Sequence, residues 1–374
     1  MIEIREIVNK KDVKKFVDFP QKLYKGNPYF VPYLRMDELN ILNPKKNPAL
    51  EGCKAKAFLA YRDGALCGRI LGIIHYGDIE RFGVKRIRFS RIDFTDDIEA
   101  ARALLNAVAD FGRAEGMEYI HGPLGFNDLD REGMLVEGFD RIATFETQYS
   151  YPYYPVIMEK LGFEKDVDWV ENYIKCPKVM DGRIERISQK VLERFNLRIA
   201  CFGKRDFIKK YALKFFEMLD KSYSGLYATV PLPPRVIDNT VKMFKLIADK
   251  RLVCCVLDKD DNVVAGGLAL PSIAKAVQKS KGRLLPFGIF RLLWAIKRYK
   301  VVDLALIGVL PQYQNKGINS IVVTEIVKGG ISRKIDGAES NPTLEDNTKV
   351  RSQLDFMEAE QHKRRRAFIK RIEP

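Results

Sequence analysis

Residues 302–319 read VDLALIGVLPQYQNKGIN, and the whole chain is best interpreted outward from them. The β-rich apolar run Val301 to Val309 predicts a buried strand, and Pro311 ends it. The polar turn Gln314-Asn315-Lys316-Gly317 then leads into a helix-patterned segment, Ile318 to Ile335. A strand feeding a tight turn into a helix leaves unpaired N–H groups at the helix start, where the helix dipole favours phosphate. Lys316 adds a positive charge, and Gly317 allows close approach of backbone and ligand.

The 374 residues suffice for two domains of ordinary size. A content of 46% hydrophobic and 30% charged residues describes a globular chain and excludes a disordered one. Lys and Arg outnumber Asp and Glu by 64 to 49, giving +15, which favours phosphate-bearing ligands, nucleic acid, acidic substrates or anionic lipid heads. Six cysteines without a CxxC and three histidines make no metal-ligand pattern, so no metal is expected and the thiols are read as reduced. The start, MIEIREIVNKKDV, has no signal-peptide core. The most apolar window, Leu284 to Ile296, is too short to span a bilayer and reads as a core or membrane-touching helix. A cytoplasmic protein without a transmembrane segment is expected; the oligomeric state is left open.

Two halves repeat one pattern across a linker, Pro177 to Gly182. FLAYRDGALCGRILGI (58–73) and CCVLDKDDNVVAGGLAL (254–270) each read as strand, Asp-containing turn and glycine-bearing strand, aligned on Gly68 and Gly266. Each is followed by a strand, a long helix, a short strand, a second helix and a last strand, the signature of a duplicated domain. The copies are expected at 1–177 and 183–374. Thr95 is expected to cap a helix over Asp96 to Glu115, and further helices are expected over Asp206 to Leu219 and Leu344 to Met357. The run HKRRR, His362 to Arg366, reads as a solvated face or a phosphate contact.

The second half resembles the GNAT superfamily of acetyl-CoA-dependent N-acetyltransferases, whose signature Gln/Arg-x-x-Gly-x-Gly/Ala joins a strand to a helix. Gln314-Asn315-Lys316-Gly317-Ile318-Asn319 supplies the Gln and the first Gly, with Asn319 at the last position. Glu339-Ser340-Asn341 and the later Asn347 are similar to a second motif of the superfamily. The tyrosine that many members place on the following helix is absent: that position is Leu354, and no tyrosine follows Asn347. The first half looks like a degenerate copy, because Asp96, Asp97 and Glu99 crowd its helix start with carboxylates that repel a pyrophosphate.

The resemblance implies an α/β fold, a mixed α+β sheet in two GNAT-like domains in tandem. It implies acetyl-CoA, or another acyl-CoA, with the thioester beside Leu306, Ile307, Gly308 and Val309. The pyrophosphate would lie on Gln314, Asn315, Lys316, Gly317, Ile318 and Asn319, with Asn347 nearby. Glu339 is the candidate base, and Asn341 is a candidate to orient substrate. A small-molecule or peptide amine is the expected acceptor. Two rivals stand beside this reading: an aminoacyl-tRNA-dependent peptidyl-type transferase, with tRNA a less favoured partner, and a non-catalytic acyl-CoA or lipid-binding module using Leu284 to Ile296 at an interface.

Overall fold

The computed structural model describes residues 1–201, 203, 210–348 and 357–373. Its strands are β1 (Ile2–Glu6), β2 (Cys53–Arg62), β3 (Ala65–His75), β4 (Arg86–Phe94), β5 (Tyr119–Gly122), β6 (Met134–Glu137), β7 (Glu164–Lys175), β8 (Arg198–Ile199), β9 (Val253–Leu257), β10 (Val263–Pro271), β11 (Val301–Val309), β12 (Gly337–Ser340), β13 (Thr343–Leu344) and β14 (Ala359–Arg371). The longer helices are α1 (Lys10–Leu23), α2 (Ile98–Ala114), α3 (Tyr153–Lys160), α4 (Gly182–Arg194), α5 (Ala212–Tyr223), α6 (Pro234–Ile247), α7 (Gly288–Lys297) and α8 (Ile318–Arg333).

One mixed sheet runs β1-β2-β3-β4-β5-β14-β7-β12-β11-β10-β9-β8. The path β2-β3-β4-α2-β5 recurs as β9-β10-β11-α8-β12, so the expected duplication is present as two tandem copies of one fold. Strands β4 and β10 are buried along their whole length: α5 and α8 pack on the two faces of β10, while α2 covers one face of β4 and segments carrying Gly125 and Ala228 meet the other. Close helix packing also fixes where glycine must stand. A Cβ on Gly68 would lie 2.7 Å from Leu104 of α2, and one on Gly267 would lie 2.5 Å from Val322 of α8. A Cβ on Gly266 instead points at Phe215 of α5. Neighbouring strand residues face opposite ways, so Gly267, not Gly266, is the counterpart of Gly68, and the sequence alignment is one residue off.

The two halves exchange their closing strands. β14 lies between β5 and β7, antiparallel to both, while β7 pairs with β12 of the second half. This places the basic run His362–Arg366 mid-sheet and corrects the solvated reading. Lys363 Nζ lies 3.0 Å from Glu171 Oε2, and Arg365 pairs with the same carboxylate, all three side chains being buried. On the other face Arg366 Nε lies 2.8 Å from Asp168, and Arg364 Nε 3.1 Å from Glu137. The carboxylates that balance these bases lie far away in sequence.

Two helix expectations also change. Asp97, not Thr95, caps α2: its Oδ1 accepts from Glu99 N at 3.0 Å and Ala100 N at 3.3 Å, and Arg62 Nε holds its Oδ2 at 2.5 Å. Leu344 belongs to β13 on β7, not to a helix. Most of the helix expected to end at Met357, with Leu354, lies outside the described residues, as does the start of the one expected at Asp206, whose described part is α5.

Candidate functional site

β11 and β12 pair in parallel only from Val301–Gly337 to Leu304–Ser340. Beyond that point β11 continues to Val309 while β12 leaves it, and the two splay apart. The opening coincides with a bulge: Leu268 pairs with Leu306 and Ala269 with Leu304, so Ala305 is the extra residue. The edge of β11 inside the splay therefore presents backbone groups with no strand to meet them.

Side chains meet them instead. Tyr223 Oη donates to Ile307 O at 2.7 Å and accepts from Ile307 N at 3.3 Å. Ser222 Oγ donates to Val309 O at 2.9 Å and accepts from Val309 N at 3.0 Å. Asn341 Nδ2 donates to Ala305 O at 2.6 Å across the splay. Its Oδ1 is buried with no hydrogen-bond partner among the described residues. Thus the end of α5 imitates a neighbouring strand along Ile307 and Val309, the segment expected to face a thioester. Gly308 lies directly beneath the same helix: a Cβ there would come within 2.8 Å of Leu219 and 3.1 Å of Met218 and Ser222.

At the top of the splay, Asn315 (φ 60°) and Gly317 (φ 76°) both adopt left-handed backbone, which turns the chain tightly into α8. No side chain caps α8 among the described residues, and Ser320 N bonds back to Gly317 O at 3.0 Å. Gln314 Nε2 reaches back to Val309 O at 3.2 Å, and Lys316 Nζ stands 5.6 Å from the rings of Phe195 and Tyr313. Ile318 anchors the helix in the core, and Asn319 is half-buried beside it. Asn347 follows β13 and lies, like the turn, beyond the C-terminal end of a parallel strand. The first copy differs: Asp97 occupies the N–H groups of α2, and Leu124 N donates to Phe89 O at 2.8 Å where that copy's splay would open.

The foot of the splay is acidic. Glu339 faces Asp303 in the parallel register, and its Oε2 lies 2.9 Å from His362 Nε2 and 3.4 Å from Lys363 Nζ. It is a paired carboxylate rather than a solvated strand end. Asp303 is buried, with one oxygen unpartnered among the described residues. Burial pushes its carboxyl up to about 7; the charges of Glu339 and Glu146 act in the same direction, against Ser272 and Lys363. Further carboxylates come from the first half. In the segment between β5 and β6, burial raises Asp128 to about 7, and burial with the nearby Asp128 charge raises Glu132. Leu129, between them, packs on the core cluster that also carries Tyr223, Ala305 and Leu306. Tyr149 and Tyr151 pack with Tyr24 in a core cluster that also takes in Ile273, Ala274, Val277 and Leu292 of the second half, and Tyr153 and Tyr154 pack on Phe94 in the first.

Sequence reading missed Asp303 and Ser222. Asp303 did leave a signal, as the lone carboxylate in an otherwise apolar strand. Among the described residues there is no cluster of His, Cys, Asp and Glu suited to a metal ion, and no helix long and apolar enough to cross a membrane.

A duplicated sheet with a bulged, splayed strand and an uncapped strand-turn-helix defines a class: in structure the chain strongly resembles the GNAT-superfamily acetyltransferases. A tandem GNAT protein from the clavulanic acid biosynthesis pathway superposes on 100% of this chain and 99% of its own, with a TM-score of 0.58 at 9% identity. In sequence the chain is 26% identical over 379 residues to protein YghO of Escherichia coli (strain K12), covering 99% of this chain and 95% of YghO. It is also 26% identical over 318 residues to the bacterial ceramide synthase of Caulobacter vibrioides, covering 81% and 79% of the two chains. No protein-family model matches it.

Proposed function

We propose that the protein is an acyl-CoA-dependent N-acyltransferase in which an amine attacks a thioester held in the β11–β12 splay. The observation that carries the reading is the carboxylate pair at the foot of that splay, buried Asp303 and half-buried Glu339. Acyl-CoA supplies an activated acyl carbonyl. The turn Gln314–Asn319 and Lys316 suit its pyrophosphate, since the N–H groups there lack a side-chain cap. The edge of β11 at Ile307 and Val309 suits the amide-bearing arm of CoA once Ser222 and Tyr223 let go, because hydroxyl bonds are then exchanged for amide bonds one for one. Asn341 holds the bulge at Ala305, and Asn347 is assigned to the same ligand edge.

An amine arrives as its ammonium form. Asp303 is the base that takes its proton, aided by Glu339 with His362. A ceramide is an N-acylated long-chain amine, so the ceramide synthase relative supports a hydrophobic primary amine as acceptor. The donor is acetyl-CoA or a longer acyl-CoA. In this reading the copies at 1–177 and 183–374 divide the work, the second holding the donor and the first walling the acceptor, in the cytoplasm where acyl-CoA is made available. The HKRRR run is spent on internal ion pairs and so offers no phosphate contact to a nucleic acid.

The test is amine-dependent thiol release from acetyl-CoA and palmitoyl-CoA with a long-chain amine such as sphinganine, the N-acyl product being weighed by mass spectrometry. Release of thiol with formation of that product supports the proposal. Neither donor reacting with any amine overturns it.

A further inference from the structure

Helix α7 and the segment leading into it are apolar on two sides. The inner side, Ile289, Leu292 and Ile296, packs into the body of the protein against Ile273, Ala274 and Val277. The outer side faces solvent: Leu285 is 76% exposed, Phe287 70%, Phe290 67%, Leu293 44% and Trp294 64%. Phe287, Phe290, Leu293 and Trp294 recur at helical spacing, so they form one continuous face. Met36 is also exposed, on a short helix tied to this segment by Arg35 N donating to Gly282 O at 2.9 Å. A patch of this kind on a monomer calls for an occupant.

Charge selects it. Residues 272–302 contain eight Lys or Arg and no Asp or Glu. Lys279, Lys281, Arg283, Arg291, Lys297 and Arg298 are exposed around the apolar face. A second copy meeting this patch through its own would bring two cationic rims together, which repel. An anionic bilayer satisfies both parts, since large side chains enter the headgroup boundary while lysines and arginines pair with lipid phosphates. The helix spans ten residues, enough to lie in the interface and too few to cross it.

We propose that α7 and its leading loop dock the protein on an anionic membrane surface, with Phe287, Phe290 and Trp294 inserted and the basic rim on lipid headgroups. The inner end of α7, Ile296, packs on the same core cluster as Ala305 and Leu306, so docking also brings the splay close to the lipid. The inference rests on the surface alone and holds whether or not the acyl transfer is as proposed.

Full-length protein is sedimented with vesicles of phosphatidylcholine, with and without phosphatidylglycerol, at rising salt. The wild type should pellet with the anionic vesicles, with binding weakened several-fold by salt, and Trp294 emission should shift to the blue. The double variant Phe290→Ser, Trp294→Ser should lose about tenfold or more of the partitioning. Arg291→Glu with Lys297→Glu should remove the preference for the anionic lipid. These side chains are exposed, so a melting midpoint equal to wild type confirms an intact fold. Three results would overturn the proposal: no vesicle binding by the wild type, wild-type binding by the double serine variant, or a concentration-dependent dimer abolished by those serines without any lipid binding.

Discussion

Replacing Tyr223 by Phe asks whether the edge of β11 is where the acyl donor binds. The hydroxyl both donates to Ile307 O and accepts from Ile307 N, so its removal leaves two half-buried backbone groups without their partner. Leaving such groups unsatisfied costs about 1–2 kcal/mol, and the free enzyme should melt a few degrees lower. If the donor's amide groups take over Ile307, the wild type has to release Tyr223 first, whereas the variant does not. The cost then falls on the free state alone, and the donor should bind about 5–30-fold more tightly to Tyr223→Phe. Ser222→Ala should act in the same direction through Val309. Calorimetric titration with acetyl-CoA, paired with a thermal melt, reads both halves of the argument. A lowered melting point with unchanged or weaker donor affinity would refute it, because Tyr223 would then stay on β11 in the bound state.

Asp303→Asn should lower kcat about a hundredfold or more while leaving the affinity for the donor near wild type. With its carboxyl pushed up to about 7, the wild-type rate should climb as pH rises through that value and the proton leaves, a limb that the Asn variant lacks. The same burial makes stability pH-dependent. Asp303 and Asp128 titrate near 3.8 when unfolded and near 7 when folded, so the fold holds extra protons between these values. Stability should therefore fall as pH rises from about 4 to about 7 and level off above, visible as a falling urea midpoint, with the slope reduced in Asp303→Asn. Glu171→Gln leaves Arg365 buried without its carboxylate and Lys363 with the Glu339 carboxylate alone, and should cost about 3–5 kcal/mol, as read by denaturant melts. Gly267→Ala drives a Cβ to 2.5 Å from Val322 and should cost about 1–3 kcal/mol, whereas Gly182→Ala, with only the flexible end of Arg186 near, should be close to neutral.

What the sequence made legible was local. Val301–Val309 and Ile318–Arg333 form the expected strand and helix because apolar periodicity and the punctuation of Pro311 and Gly317 act within a few residues. What it concealed depends on partners far along the chain. HKRRR looks like a surface run until Glu171 and Asp168 on β7 are paired against it, roughly two hundred positions away. Ser222 and Tyr223 sit in a turn-rich stretch whose composition suggests a loop, yet the two hydroxyls complete a strand edge. Asp303 was visible as an odd letter in an apolar strand, but only its burial without a full set of partners makes it the proposed base.

The exchange of β7 and β14 bears on why a copy that has lost its own phosphate turn remains part of this chain. Leu124 bonds to Phe89 where its own splay would open, and Asp97 fills the helix start, so the first copy has no vacant cradle. The same closure sends Asp128, Leu129 and Glu132 into the interior, where Leu129 reaches the cluster of Tyr223, Ala305 and Leu306 in the second copy. β7 adds Glu171 beneath Lys363, which in turn contacts Glu339. Carboxyl groups near the splay are therefore supplied from both halves, in a protein whose surplus charge is positive. A second copy standing alone would keep its turn and its splay but lose Asp128, Glu132 and Glu171. It would keep Lys363 and Arg365 without the carboxylate that now neutralises them, adding uncompensated positive charge at the foot of the splay, which would oppose the proposed arrival of an ammonium group.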